Sequence, residues 1–89
     1  MILLELSNKH FKTLQAIFKD PVQSNIEWND IEALFKALGG QISEGRGSCV
    51  RVKLNDSKAV FHRPHPEKET DKGAVKSVRM FLREAGFAP

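Results

Sequence analysis

The sequence predicts an α+β fold, with helices packed on one face of a small three-stranded antiparallel sheet and one additional helix at the N-terminus. Three observations carry this. Two stretches of apolar residues at helical spacing open the chain; a run alternating apolar with basic residues is followed by turn chemistry and a second short apolar run; and a third amphipathic stretch closes it. At 89 residues, with 40% hydrophobic and 28% charged content, the chain is long enough for one domain with one modest core. No apolar run approaches the ~20 residues that a membrane span needs.

The first helix is expected over residues 7–18. Ser7 or Asn8 caps it, Phe11, Leu14, Ile17 and Phe18 form its stripe, and Asp20-Pro21 ends it. Residues 19–27 then read as a connector. The second helix begins near Asn29, which with Glu32 three residues on fits a capping box. Trp28 stands just before it as a staple, and Ile31, Leu34, Phe35 and Leu38 form the stripe. Gly39-Gly40 supplies a left-handed exit.

Gln41 to Glu44 adds a short strand, ahead of the flexible link Gly45-Arg46-Gly47-Ser48. Val50, Val52 and Leu54 alternate with Arg51 and Lys53, a half-buried strand with a basic outer face. Asn55-Asp56-Ser57 is a turn, and Lys58 to Arg63 returns as the neighbouring strand. The last helix runs from about residue 72 to 85. Asp71 is its N-cap, Ala74, Val78, Phe81, Leu82 and Ala85 are its buried stripe, and Gly86 terminates it. Lys72, Lys76, Arg79 and Arg83 line another face, which serves either as solvated surface or as a rail of phosphate contacts.

The most informative stretch is residues 58–73, which runs from the third strand through the corner Pro64-His65-Pro66 and a polar loop to the start of the last helix. Each proline fixes φ and biases the residue before it toward extended geometry, so His65 is held at the lip of a strand by a stiff corner. An imidazole exchanges protons at working pH, which makes such a histidine a candidate general acid or base. The same spacing also describes a surface loop whose histidine has no chemical role.

Charge sharpens the picture. Residues 1–43 carry four Lys/Arg against five Asp/Glu, a balance of −1, whereas residues 44–89 carry ten against six, a balance of +4. The basic half holds the His65 corner and favours a polyanion such as RNA or DNA, although a balance this mild also fits a plain solvated surface. The single cysteine, Cys49, makes no internal disulfide, which fits a reducing cytoplasm. The opening Met1 to Leu6 lacks a basic start and a cleavage site and is read as no signal peptide.

Three chemical constellations compete. Cys49 with His62 and His65 suggests zinc, but histidines three apart on a strand point to opposite faces and no further ligand completes four. No metal and no cofactor is expected. Cys49 as a nucleophile beside a histidine is set against a place in a strand, where a small half-buried side chain is the simpler account. His65 beside cations suits RNA, which brings its own nucleophile in the 2′-hydroxyl. The protein then needs only to move protons, stabilise the phosphorane and align the scissile step. No Walker loop, dinucleotide fingerprint or nucleophile elbow offers another chemistry.

The order Gly47-Ser48, a hairpin, Pro64-His65-Pro66-x-Lys68-Glu69, Lys72-Gly73 and a helix closing on Leu82-x-x-Ala85-Gly86 resembles the HicA toxins of bacterial type II toxin–antitoxin systems. The likeness covers residues 29–89, an α-β-β-β-α unit, and leaves residues 1–28 as an N-terminal extension. It implies a fold like the double-stranded-RNA-binding domain, metal-independent cleavage of mRNA, and a HicB-type antitoxin partner covering the site. His65 matches the family's catalytic histidine. The family commonly has histidine after the Gly-Ser pair, where this chain has Cys49, and often Pro-Gly-Thr where this chain has Lys72-Gly73-Ala74. Both changes bear on secondary contacts, so Ser48 stands as either a phosphate or a structural contact.

The leading expectation is therefore an RNA-cleaving toxin with His65 as general acid or base. Its RNA-binding candidates are Arg46, Ser48, Arg51, Lys53, Lys68, Lys72, Lys76 and Arg79. Glu67, Glu69 and His62 compete to polarise His65. The rivals are a non-catalytic RNA-binding module and a protein-interaction domain using the open face of the sheet.

Overall fold

The computed structural model describes residues 6–89. Met1–Glu5, most of the opening read above as no signal peptide, lie outside the described residues. The elements are α1 (Asn8–Ile17), α2 (Trp28–Ala37), β1 (Gln41–Glu44), β2 (Cys49–Leu54), β3 (Ser57–His62) and α3 (Lys72–Glu84). The strands form one antiparallel sheet in the order β1-β2-β3. The fold is α+β as the sequence predicts, and from α2 onward its α-β-β-β-α order is compatible with the arrangement that the family resemblance implies.

Cross-strand register decides what each face of the sheet presents. Val50 pairs with Phe61 and Val52 with Ala59 on the inner face, while Arg51 pairs with Val60 and Lys53 with Lys58 on the outer one. Val50, Val52, Leu54 and Phe61 are buried with Leu14, Ile17, Ile31, Leu34, Phe35, Val75, Val78 and Leu82 in a single core. All three helices therefore cover one face, and the basic face looks out to solvent. At the core's centre four aromatic rings meet: Phe35 and Phe61 stack with centroids 5.8 Å apart, Phe81 meets both edge-on, and Trp28 lies against Phe35 and Phe61.

The helix ends follow local chemistry, with one exception. The Ser7 hydroxyl accepts a hydrogen bond from the His10 N–H at the start of α1, and Asp71 Oδ1 accepts one from the Ala74 N–H at 2.7 Å at the start of α3. Gly39, at φ +92°, closes α2 as its sequence suggests. The capping box expected at Asn29 does not form. The cap position lies two residues earlier, at Glu27, which makes no side-chain cap, and α2 begins at Trp28. Glu32, the residue that would have reached back to the cap, is instead taken by Trp28 Nε1 and Arg63. Trp28 accordingly packs from the first helical position and not from the residue before a cap. In α3, Val75 joins the buried stripe and Ala74 is only half-buried.

Residues 8–27 share the same core as the rest. Leu14, Ile17 and Ile26 are buried within it. Arg79 of α3 donates from its guanidinium to the Ile17 and Lys19 carbonyls and to Asp20, so that α3 closes the C-terminal end of α1. The Arg83 guanidinium lies 5.3 Å from the centre of the Phe18 ring and adds a cation–π contact there.

Candidate active site

Strand β3 stops at His62, and Arg63 makes the transition into the Pro64-His65-Pro66 corner. Its backbone N–H donates to the Ser48 carbonyl at 2.9 Å, and its side chain forks between two carboxylates from different elements. Nε and Nη2 donate to Glu32 of α2 at 2.7 and 3.2 Å, while Nη1 and Nη2 donate to Glu44 of β1 at 2.6 and 2.8 Å. The Trp28 indole N–H donates to the same Glu32 carboxylate. A guanidinium fits this task because its donors lie in one rigid plane that matches two carboxylates at once.

The far side of the corner is fixed by backbone bonds. The Trp28 N–H donates to the Lys68 carbonyl at 3.0 Å, the Thr70 N–H donates to the Ile26 carbonyl at 2.7 Å, and Glu27 and Glu69 form a β-bridge. Between these anchors His65 is exposed. Beside it opens a recess of about 230 Å³ lined by Trp28, Asn29, Arg63, Pro64, Pro66, Glu67 and Lys68.

The electrostatics of the fork follow from its contacts. Burial pushes the Glu32 carboxyl up, but hydrogen bonds from Arg63 and Trp28 outweigh burial and hold it below the ordinary 4.5. The Arg63 hydrogen bond likewise holds Glu44 below 4.5. Bonds from Glu44 and then Glu32 make the Arg63 proton harder to remove than usual. The sign for stability is fixed by these directions. A carboxyl more acidic in the folded chain than in the unfolded one stabilises the fold above pH ~4.5, and that contribution is lost as pH falls through the lower folded value. The thermal midpoint should therefore drop as pH is lowered from 7 to 3, and drop less steeply in Glu44→Gln, whose midpoint at pH 7 should start lower. A Glu44→Gln profile superimposable on that of the wild type would contradict this.

The RNA-binding candidates are spread over several parts of the fold. Ser48 and Lys68 flank the corner, Ser48 through its carbonyl bond to Arg63 and Lys68 as part of the corner itself. Arg46 sits in the same β1–β2 link, and Lys72 begins α3; both are exposed. Arg51 and Lys53 lie on the outer sheet face beside Lys58, with Lys53 about 13 Å along the strand from Cys49 at ~3.3 Å per residue. Arg51 also reaches back to the Glu44 carbonyl at 3.2 Å. Lys76 is exposed beside β3, where with Val60 and Met80 it lines a groove between strand and helix. Arg79 differs from all of these. Its side chain is only 12% exposed and is committed to α1, so the structure gives it a packing role.

Glu67 and Glu69 are exposed and form no ion pair among the described residues. His62 turns to the outer sheet face, where its Nδ1 lies 3.5 Å from the Cys49 sulfur across the β2–β3 ladder. Among the described residues no three His, Cys, Asp or Glu side chains gather closely enough to hold a metal ion.

The Arg63 fork went unseen in the sequence because its partners stand 31 and 19 residues away, with no local pattern linking them. The only signal was an arginine directly before Pro-His-Pro.

Comparison with protein families returns the sequence model described as the HicA toxin of bacterial toxin–antitoxin, matched over residues 28–87. Neither a curated protein nor a solved structure matches the chain. The matched stretch runs from the first residue of α2 to beyond the end of α3 and includes the whole His65 corner. By that match the chain belongs to the HicA toxin family of bacterial toxin–antitoxin systems.

Proposed function

We propose that this toxin is a metal-independent endoribonuclease acting on mRNA, with His65 as its general acid or base. The observation that carries the proposal is the exposed, proline-framed His65, in a corner whose two ends are anchored by the Arg63–Ser48 and Trp28–Lys68 backbone bonds. In the reaction, His65 takes the proton from a ribose 2′-hydroxyl as that oxygen attacks the adjacent phosphorus. The P–O5′ bond breaks, the departing 5′-oxygen takes a proton from water and the protonated imidazole returns its own to solvent, leaving a 2′,3′-cyclic phosphate. Lys68, Arg46 and Lys72 are the cations assigned to the developing phosphorane charge, and Ser48 is the hydroxyl assigned to it. Arg51, Lys53 and Lys76 extend the cationic surface to neighbouring phosphates, while Arg79 is assigned to the α1–α3 contact. The site of action is the cytoplasm, and a HicB-type antitoxin is the partner that covers the corner. Among the described residues no helix is long and apolar enough to cross a membrane.

The test is cleavage of RNA by the purified chain in EDTA, with wild type and His65→Ala side by side. Equal rates would end the assignment. The cationic surface has its own measurement. Lys68→Ala and Lys72→Ala should each weaken RNA binding across sequences and lower the slope of log affinity against log salt by about 1. An unchanged slope would remove that lysine from the phosphate contacts.

A non-catalytic RNA-binding module is the second reading, favoured by the outer sheet face, where the register sets Arg51, Lys53 and Lys58 on one surface. It predicts RNA binding without cleavage, and an affinity that His65→Ala leaves unchanged.

A further inference from the structure

We propose that Arg63 is a positioning residue for His65, its guanidinium fork setting the angle at which the imidazole meets the scissile step. This rests on the reading of His65 as the proton-transfer group. Four bonds from one side chain tie the root of the corner to α2 and β1, elements that otherwise have no contact with residues 64–66 through hydrogen bonds. Arg63 is two residues from His65, and Pro64 between them has a φ fixed by its ring, so a rotation at Arg63 is carried forward to His65 with little slack.

The anchoring is shared, not local. Trp28 serves both ends of the corner: its indole N–H holds the Glu32 that receives Arg63, and its backbone N–H holds the Lys68 carbonyl beyond His65. Glu32 is well shielded, with 13% of its side chain exposed, so the pair it makes with Arg63 is sheltered from competing water. Glu44, at 67%, is the open arm of the fork. The two carboxylates engage four of the five guanidinium N–H groups and leave one Nη1 hydrogen, so most of the Arg63 donor capacity is already committed, unlike that of the exposed lysines around it.

The experiment measures kcat and KM for one RNA in EDTA for Arg63→Gln, Arg63→Lys, Glu44→Gln and His65→Ala, well below each thermal midpoint and with folding verified by circular dichroism. Arg63→Gln should lower kcat by about 10²-fold, the scale expected when a reacting group is displaced by ~1 Å, with KM and its salt dependence unchanged. Arg63→Lys should fail to restore kcat, because an ammonium cannot bridge two carboxylates in a plane. Glu44→Gln should produce a smaller fall in the same direction, and it carries the test if Arg63→Gln does not fold.

A wild-type kcat in Arg63→Gln, or in Glu44→Gln where that variant carries the test, overturns the inference. So does full rescue by lysine, or a raised KM with a shallower salt slope, which would place Arg63 on the RNA itself. If His65→Ala is inactive and Arg63→Gln fully active, this inference falls while the reading of His65 stands. Wild-type cleavage by His65→Ala overturns both together.

Discussion

Replacing His65 with alanine is expected to slow RNA cleavage by roughly 10²–10⁴-fold, the usual contribution of a positioned proton-transfer group. The residue is exposed and outside the buried core, so its truncation removes chemistry without opening a cavity. The thermal midpoint should stay within the narrow range typical of surface substitutions, about ±0.5 kcal/mol in stability. RNA affinity should be nearly unchanged, since the cations proposed to contact phosphate remain. The corresponding cellular result is that expression of the wild-type chain without its antitoxin arrests growth, whereas His65→Ala does not. Undiminished cleavage by the variant, with contaminating nuclease excluded by a mock purification, would assign the corner to binding alone.

The largest effect on stability is expected at Phe35. Its side chain is fully buried, stacks on Phe61 at 5.8 Å and meets Phe81 at 5.6 Å in a T-shaped contact, with Trp28 at 6.5 Å. Phe35→Ala should cost about 3–5 kcal/mol, combining lost apolar burial with the cavity left among rings that cannot collapse into it. A domain of this size is stable by only about 5–15 kcal/mol, so much of that margin disappears. Thermal denaturation should register a fall of about 15–30 °C. A fall of only a few degrees would mean that the four rings repack, and that the centre of the core lies elsewhere.

How much of this was legible beforehand depended on whether the determining interaction was local. The three strands were readable because Val50, Val52 and Leu54 alternate with cations and Asn55-Asp56 marks the turn; the structure adds that Asn55, at φ 54°, also donates from its side chain to the Ala85 carbonyl at 2.6 Å. Asp71 was readable as a cap because a cap needs only the next three residues. Asn29 was misread for the same reason in reverse. The local pattern with Glu32 was correct, but a distant arginine and the Trp28 indole N–H compete for that carboxylate and win. His65 was visible through its flanking prolines, whereas the residues that fasten it came from α2 and β1 and carried no shared motif. Arg79 illustrates the limit on the basic side. On a helical wheel it belongs with Lys72 and Lys76, and only the approach of α1 separates it from them.

Trp28 joins two properties that mutational surveys usually try to keep apart. Its ring belongs to the aromatic centre, while its two N–H groups brace opposite sides of the histidine loop. If His65 acts as proposed, thermostability and turnover are coupled at this one position, and substitutions there should show epistasis with both the interior and the His65 corner. An inactive Trp28 variant is informative about catalysis only when its melting curve is read beside its rate.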